Sequence, residues 1–107
     1  MSELAHIADL PDVRSAVAGD LAGSLLDAVR EKDGEAIAAV TGFVASALAQ
    51  AGDELGLGAL RRISVVGAAS GCVVAVEGDR VITARLAAAK SIPAVERFLD
   101  GAGNGRV

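Results

Sequence analysis

Between Gly34 and Leu55 the apolar residues Ile37, Val40, Val44, Leu48, Ala51 and Leu55 recur at three- and four-residue steps, the period of a helix with one stripe facing a core. Beside this stripe runs a second, Ala38, Gly42, Ala45, Ala49 and Gly52, made only of residues too small to fill space. Phe43 widens the apolar surface again and leaves a narrow polar strip at Ser46, Gln50, Asp53 and Glu54. That is more apolar surface than one small domain covers. The large stripe is therefore expected on the molecule's own sheet and the small stripe against a partner, where short side chains let backbones approach. The competing reading is that the small residues seat the helix on its own sheet. Asp33 stands where a cap belongs, Glu35 suits the positive helix start, and Gly56 and Gly58 close the helix.

Around this helix the polar and apolar positions predict strands. Val13 to Ala18 alternates, Gly19 to Gly23 carries turn residues, and Ser24 to Val29 offers a second strand, together a hairpin. Its alanines and leucines suit a helix equally well on local propensity. After the long helix come Arg61 to Val66, Cys72 to Val76 and Arg80 to Leu86, joined by short glycine turns as an antiparallel meander. Ser2 to Asp9 predicts a short amphipathic helix stopped by Pro11. A final helix starts at Ser91, as cap, and Pro93, and runs through Phe98 and Leu99. The fold class is thus an α/β (α+β) sandwich, one five-stranded antiparallel sheet with helices on its faces. Residues 1–100 form one domain, and 101–107 read as a disordered tail.

Composition narrows the function. The chain of 107 residues is 52% hydrophobic yet has two aromatic residues, no Trp and no Tyr, so its core is Val, Leu, Ile and Ala. Few aromatics and a net charge of -4 argue against nucleic acid, which needs stacking rings or a basic patch. One cysteine excludes an intrachain disulfide or a thiolate cluster and fits a reducing cytoplasm. The start lacks the pattern of a secretory signal, and the uncharged run Ala36 to Gly52 falls short of the roughly 20 residues of a spanning helix, so no membrane insertion is expected.

Catalytic parts are scarce. His6 is the only histidine and lies on the short terminal helix; Cys72 opens an apolar strand, where cysteine behaves as a small core residue. The glycines from Gly67 to Gly71 join strands and do not open a helix, and Asp9, Asp12 and Asp20 lack calcium-loop spacing. No enzyme, metal or cofactor is expected. Strand Arg62, Ile63, Ser64, Val65, Val66 is the expected sheet edge and lacks Pro or an inward charge, which invites edge-to-edge pairing.

The segment Ala51-Gly52-Asp53-Glu54-Leu55-Gly56-Leu57-Gly58-Ala59-Leu60-Arg61-Arg62-Ile63, with a hairpin before it and strands ending in Val81-Ile82-Thr83-Ala84 after it, resembles the Roadblock family, the dynein light-chain Roadblock type of domain. The resemblance covers about Val13 to Leu99 and includes no catalytic motif. It implies a homodimer in which the strand Arg61 to Val66 pairs with its copy and the two long helices lie side by side on one face of the sheet, with the shorter terminal helices on the other. Bacterial and archaeal relatives commonly associate with small Ras-like GTPases, some stimulating GTP hydrolysis by reshaping the GTPase; eukaryotic relatives are dynein light chains or GTPase scaffolds. Two departures stand out, a truncated first helix and an Ala-rich first hairpin with the turn Asp20-Leu21-Ala22-Gly23. Exposure of the sheet face under a missing helix leaves higher oligomers open.

These readings converge on a noncatalytic homodimeric regulator or scaffold of a small Ras-like GTPase. The alternative is a structural dimerisation or adaptor module with no nucleotide-state preference. The expected dimer interface is Ala38, Gly42, Ala45, Ala49 and Gly52 with Arg62 to Val66. Expected partner contacts are Glu35, Ser46, Gln50, Asp53 and Glu54.

Overall fold

The computed structural model describes residues 3–103. In chain order the elements are α1 (Glu3–Ala8), β1 (Val13–Asp20), β2 (Leu25–Val29), α2 (Gly34–Glu54), β3 (Arg62–Val66), β4 (Gly71–Glu77), β5 (Arg80–Leu86), a 3-10 turn (Ala89–Ser91) and α3 (Ile92–Gly103). The strands form one antiparallel sheet in the order β2-β1-β5-β4-β3. The alanine-rich stretch that suited either a helix or a hairpin is a hairpin. β1 sits between β2 and β5, and Ser15 to Gly19 are buried from both sides, so sheet pairing overrides the helical preference of alanine.

The main core lies between the sheet and the terminal helices. Leu4 and Ile7 of α1 and Ile92, Val95 and Leu99 of α3 pack on Ala16, Ala18, Val73, Ala75, Ile82, Ala84 and Leu86. On the opposite face α2 contributes a thinner layer, with Ala45 against Val74 and Val81.

The seating of α2 reverses the expected assignment of its two stripes. Gly34, Ala38, Gly42 and Ala45 are its buried residues, and they lie on the domain's own sheet and hairpin. A Cβ on Gly42 would stand 2.8 Å from Gly23 Cα and 2.9 Å from Asp20 O. Gly23 itself takes φ 90°, a conformation glycine adopts freely, so the hairpin turn and the helix meet backbone to backbone. The small stripe is therefore an intramolecular contact, and the large residues point elsewhere.

Both expected helix caps also differ. Asp33 makes no side-chain capping bond; its carbonyl accepts the Ile37 amide at 3.1 Å, and its own amide is donated to Glu31 Oε2 at 3.2 Å. Ser91 donates its hydroxyl to Asp12 across the chain, so it is not free to cap α3, which follows the 3-10 turn directly. At the far end α3 continues to Gly103, three residues into the stretch expected to be a tail. Buried Leu99 and the ion pair of Asp100 with Arg62 anchor its last turns, which outweighs the poor helix propensity of glycine. Residues 104–107 of that expected tail lie outside the described residues.

Candidate interaction surface

Because the small residues of α2 face down, its large ones face out. Val40, Val44 and Leu48, spaced four apart on one flank, are 61%, 36% and 42% exposed, and Phe43 is 75% exposed. Leu55 and Leu57, where the helix ends in two glycines of positive φ, are exposed as well. By length and composition α2 would also reach across a bilayer, but its buried stripe of Gly34, Ala38, Gly42 and Ala45 is fixed to the domain's own sheet.

The flank of α2 overhangs bare sheet. α2 lies over β1, β2 and β5, and an apolar groove of about 360 Å³ separates its first half from β4 and β5, lined by Ile37, Val40 and Thr41 above and Cys72, Thr83 and Arg85 below. Register pairs Val65 with Cys72 and Cys72 with Arg85, one row across three strands on the α2 face. In that row Val65 is 51% exposed, and Cys72 is half-buried. The next row, Thr83, Val74 and Ile63, is covered more deeply. Thr83 Oγ1 is buried in the groove floor without a hydrogen-bond partner. Burial pushes the Cys72 thiol above its ordinary pKa, more than nearby Arg85 pulls it down, so the sulfur stays protonated. Such a thiol is a poor nucleophile.

β3 ends the sheet, and among the described residues no strand pairs with its outer side. Its two faces differ. Arg62 and Ser64 point toward α3, where Arg62 bonds Asp100 and Ser64 donates to Glu96. Val65 points to the α2 face, and Val66, at the strand end, is 71% exposed.

The expected site residues therefore divide. Arg62 to Val66 lie on the open edge as expected. Ala38, Gly42 and Ala45 are buried within the domain and are unavailable to a second copy, while Ala49 and Gly52 are half-buried. Glu35, Ser46, Gln50, Asp53 and Glu54 are all exposed, although the Ser46 hydroxyl is donated to Leu21 O at 3.2 Å. Phe43, Ala47, Gln50 and Glu54 follow one another at helical spacing and make the roof of α2. Phe43 was missing from the expected contacts although it is one of two aromatic residues and was the available signal. His6 is exposed on α1, and among the described residues no three His, Cys, Asp or Glu side chains come together to hold a metal.

No protein-family model and no curated protein matches this sequence. Solved structures do match. Myxococcus xanthus MglB superposes with a TM-score of 0.81 at 14% identity, over 92% of this chain and 84% of that one. A Roadblock/LC7 domain from Streptomyces avermitilis gives 0.73 at 15% identity, over 94% of each chain. An MglB solved in a tetrameric arrangement gives 0.75 at 14% identity, over 94% of this chain and 81% of that one. At such identities the likeness is one of fold.

Proposed function

We propose, from the Roadblock fold of this chain, that it is a noncatalytic homodimeric regulator or scaffold of a small Ras-like GTPase, working in the cytoplasm. The observation that carries the dimer is the continuity of three unsatisfied features: the apolar flank Val40, Val44 and Leu48, the bare row through Cys72 and Val65, and the open edge of β3. A two-fold axis perpendicular to the sheet meets all three at once. It pairs β3 antiparallel with its copy, keeps both long helices on the same face, and brings the two flanks together over the bare strands. The alternative symmetry, with parallel β3 strands, sends the helices to opposite faces and leaves both flanks in water.

The paired helices then form a roof with a Phe43 on each half and Gln50 and Glu54 beside it. An exposed aromatic residue ringed by polar groups is the composition of a binding hot spot. Such a surface regulates by preferring one conformation of its partner and shifting its population. The resemblance to GTPase-associated members supplies the partner class, and the likeness to MglB structures supports it.

The test is binding of the cell's small Ras-like GTPases, each loaded with GTP analogue or GDP, to the wild-type chain and to Phe43→Ala. The expected result is preference for one nucleotide state and an affinity about tenfold or more lower in the variant, with its dimer intact. Equal binding in both states would leave the structural adaptor reading, and failure of every GTPase to bind would overturn the partner class.

A further inference from the structure

Away from the edge strand, four cations of this acidic chain gather in one place. A cleft of about 530 Å³ at the foot of β1 and β5, beside the loop from β2 to α2, is lined by Arg14, Ser15, Arg30, Glu31, Lys32 and Arg85. It holds four of the ten Lys and Arg residues of a chain whose net charge is -4. Its one acid is turned into the wall. The Glu31 side chain is 7% exposed, and its oxygens are already taken: Oε1 accepts Ser15 Oγ at 2.9 Å and Arg85 Nη1 at 2.6 Å, and Oε2 accepts the Asp33 amide at 3.2 Å.

The rest of the wall is fixed in advance. Arg30 holds φ 57°, an unusual backbone conformation for a non-glycine residue, while its guanidinium donates to the carbonyls of Ala8 and Arg14 and lies 3.7 Å from Asp9. Arg14 and Lys32, by contrast, make no side-chain hydrogen bond or ion pair within the described residues. Two unspent cations thus stand at the mouth of a cleft already braced by two spent ones.

We propose that this cleft binds a phosphate-bearing ligand. Guanidinium and ammonium groups converging from three elements suit an anion with several oxygens in different directions; one carboxylate needs only a single arginine fork. The volume lies within the usual range of small-molecule sites, roughly 300 to 1,000 Å³, so it exceeds what an inorganic ion alone fills. The cleft is separate from the roof of α2, and its occupation is independent of whether a GTPase docks there. The phosphate arrives either on a soluble molecule or on a lipid headgroup.

The experiment follows amide chemical shifts of the full chain during titration with inorganic pyrophosphate, with a parallel co-sedimentation against phosphatidylcholine vesicles with and without a phosphoinositide. Variants are R14E/K32E, the milder R14Q/K32Q in case charge reversal impairs folding, and R97E, an exposed cation on α3, as control. Saturable shifts confined to residues 14–15, 30–32 and 85, weakened about tenfold or more in either double variant and retained in R97E, support the site with a soluble ligand. Phosphoinositide-dependent sedimentation with the same variant pattern, without pyrophosphate shifts, supports the site with a lipid source. Absence of both, survival of binding in both double variants, or an equal loss in R97E overturns it.

Discussion

Gly42 sets the distance between α2 and the β1–β2 hairpin. Any side chain there collides with Gly23 and Asp20 main-chain atoms, which cannot rotate away. Gly42→Ala is expected to destabilise the fold by about 1 to 3 kcal/mol, and Gly42→Leu to do more, read as a lower urea midpoint under conditions where the assembly state is also recorded. Glu31 acts at the same scale through charge. The hydrogen bond from Arg85 holds its pKa below the ordinary 4.5, with Ser15 and the Asp33 amide adding to the effect and burial opposing it. The native state therefore binds fewer protons here than the unfolded chain. The stabilisation is fully present above about 4.5 and is lost as the pH falls through the lower native value. Glu31→Gln is expected to lower stability at neutral pH and to flatten its decline below about pH 4.5, measured by denaturant melts across pH. Neither role was legible in the sequence. Gly42 was visible as a small residue at helical spacing, but spacing does not say which neighbour forbids a side chain. Glu31 meets Ser15 and Arg85 only after three elements have come together.

At the scale of elements, the long helix, its boundaries, the strand meander and the edge position of β3 follow from periodicity and turn residues, while the division of helices between faces comes from the family resemblance. The rotation of α2 about its axis does not. Two apolar stripes ran side by side, and the rule that larger residues go inside favours Val40, Val44 and Leu48. The inner stripe is instead the small one, because α2 crosses a hairpin whose turn rises to meet it, and only glycine and alanine fit the gap. The large stripe is left on the open flank, where the proposed dimer needs it. Replacing Val44 and Leu48 together by Glu buries like charges at that contact, and the dimer is expected to weaken on the order of a hundredfold or more. Because both positions are already solvent-facing in one domain, circular dichroism of the variant should remain that of the folded chain. Analytical ultracentrifugation measures the first quantity and tests whether the flank, rather than the small stripe, makes the contact.

For the whole molecule, one face of the sheet is closed by α1 and α3, and the other is half covered by α2. The unfinished half, the bare β3 edge and the flank of α2 adjoin one another, and it is this surface that the proposed second copy covers. The basic cleft adjoins that surface at Arg85, which lines both, and otherwise lies on β1 and the loop before α2. Its cations are scattered through the sequence from Arg14 to Arg85, so only the folded sheet gathers them, although the short run Arg30-Glu31-Lys32 marks one wall. The most direct test of the account is the solution mass of the wild-type chain, by light scattering during size-exclusion chromatography over a range of concentrations. Twice the 10.6 kDa chain mass, or an even multiple of it, held on dilution, is the predicted result. A mass of one chain at every concentration would contradict it.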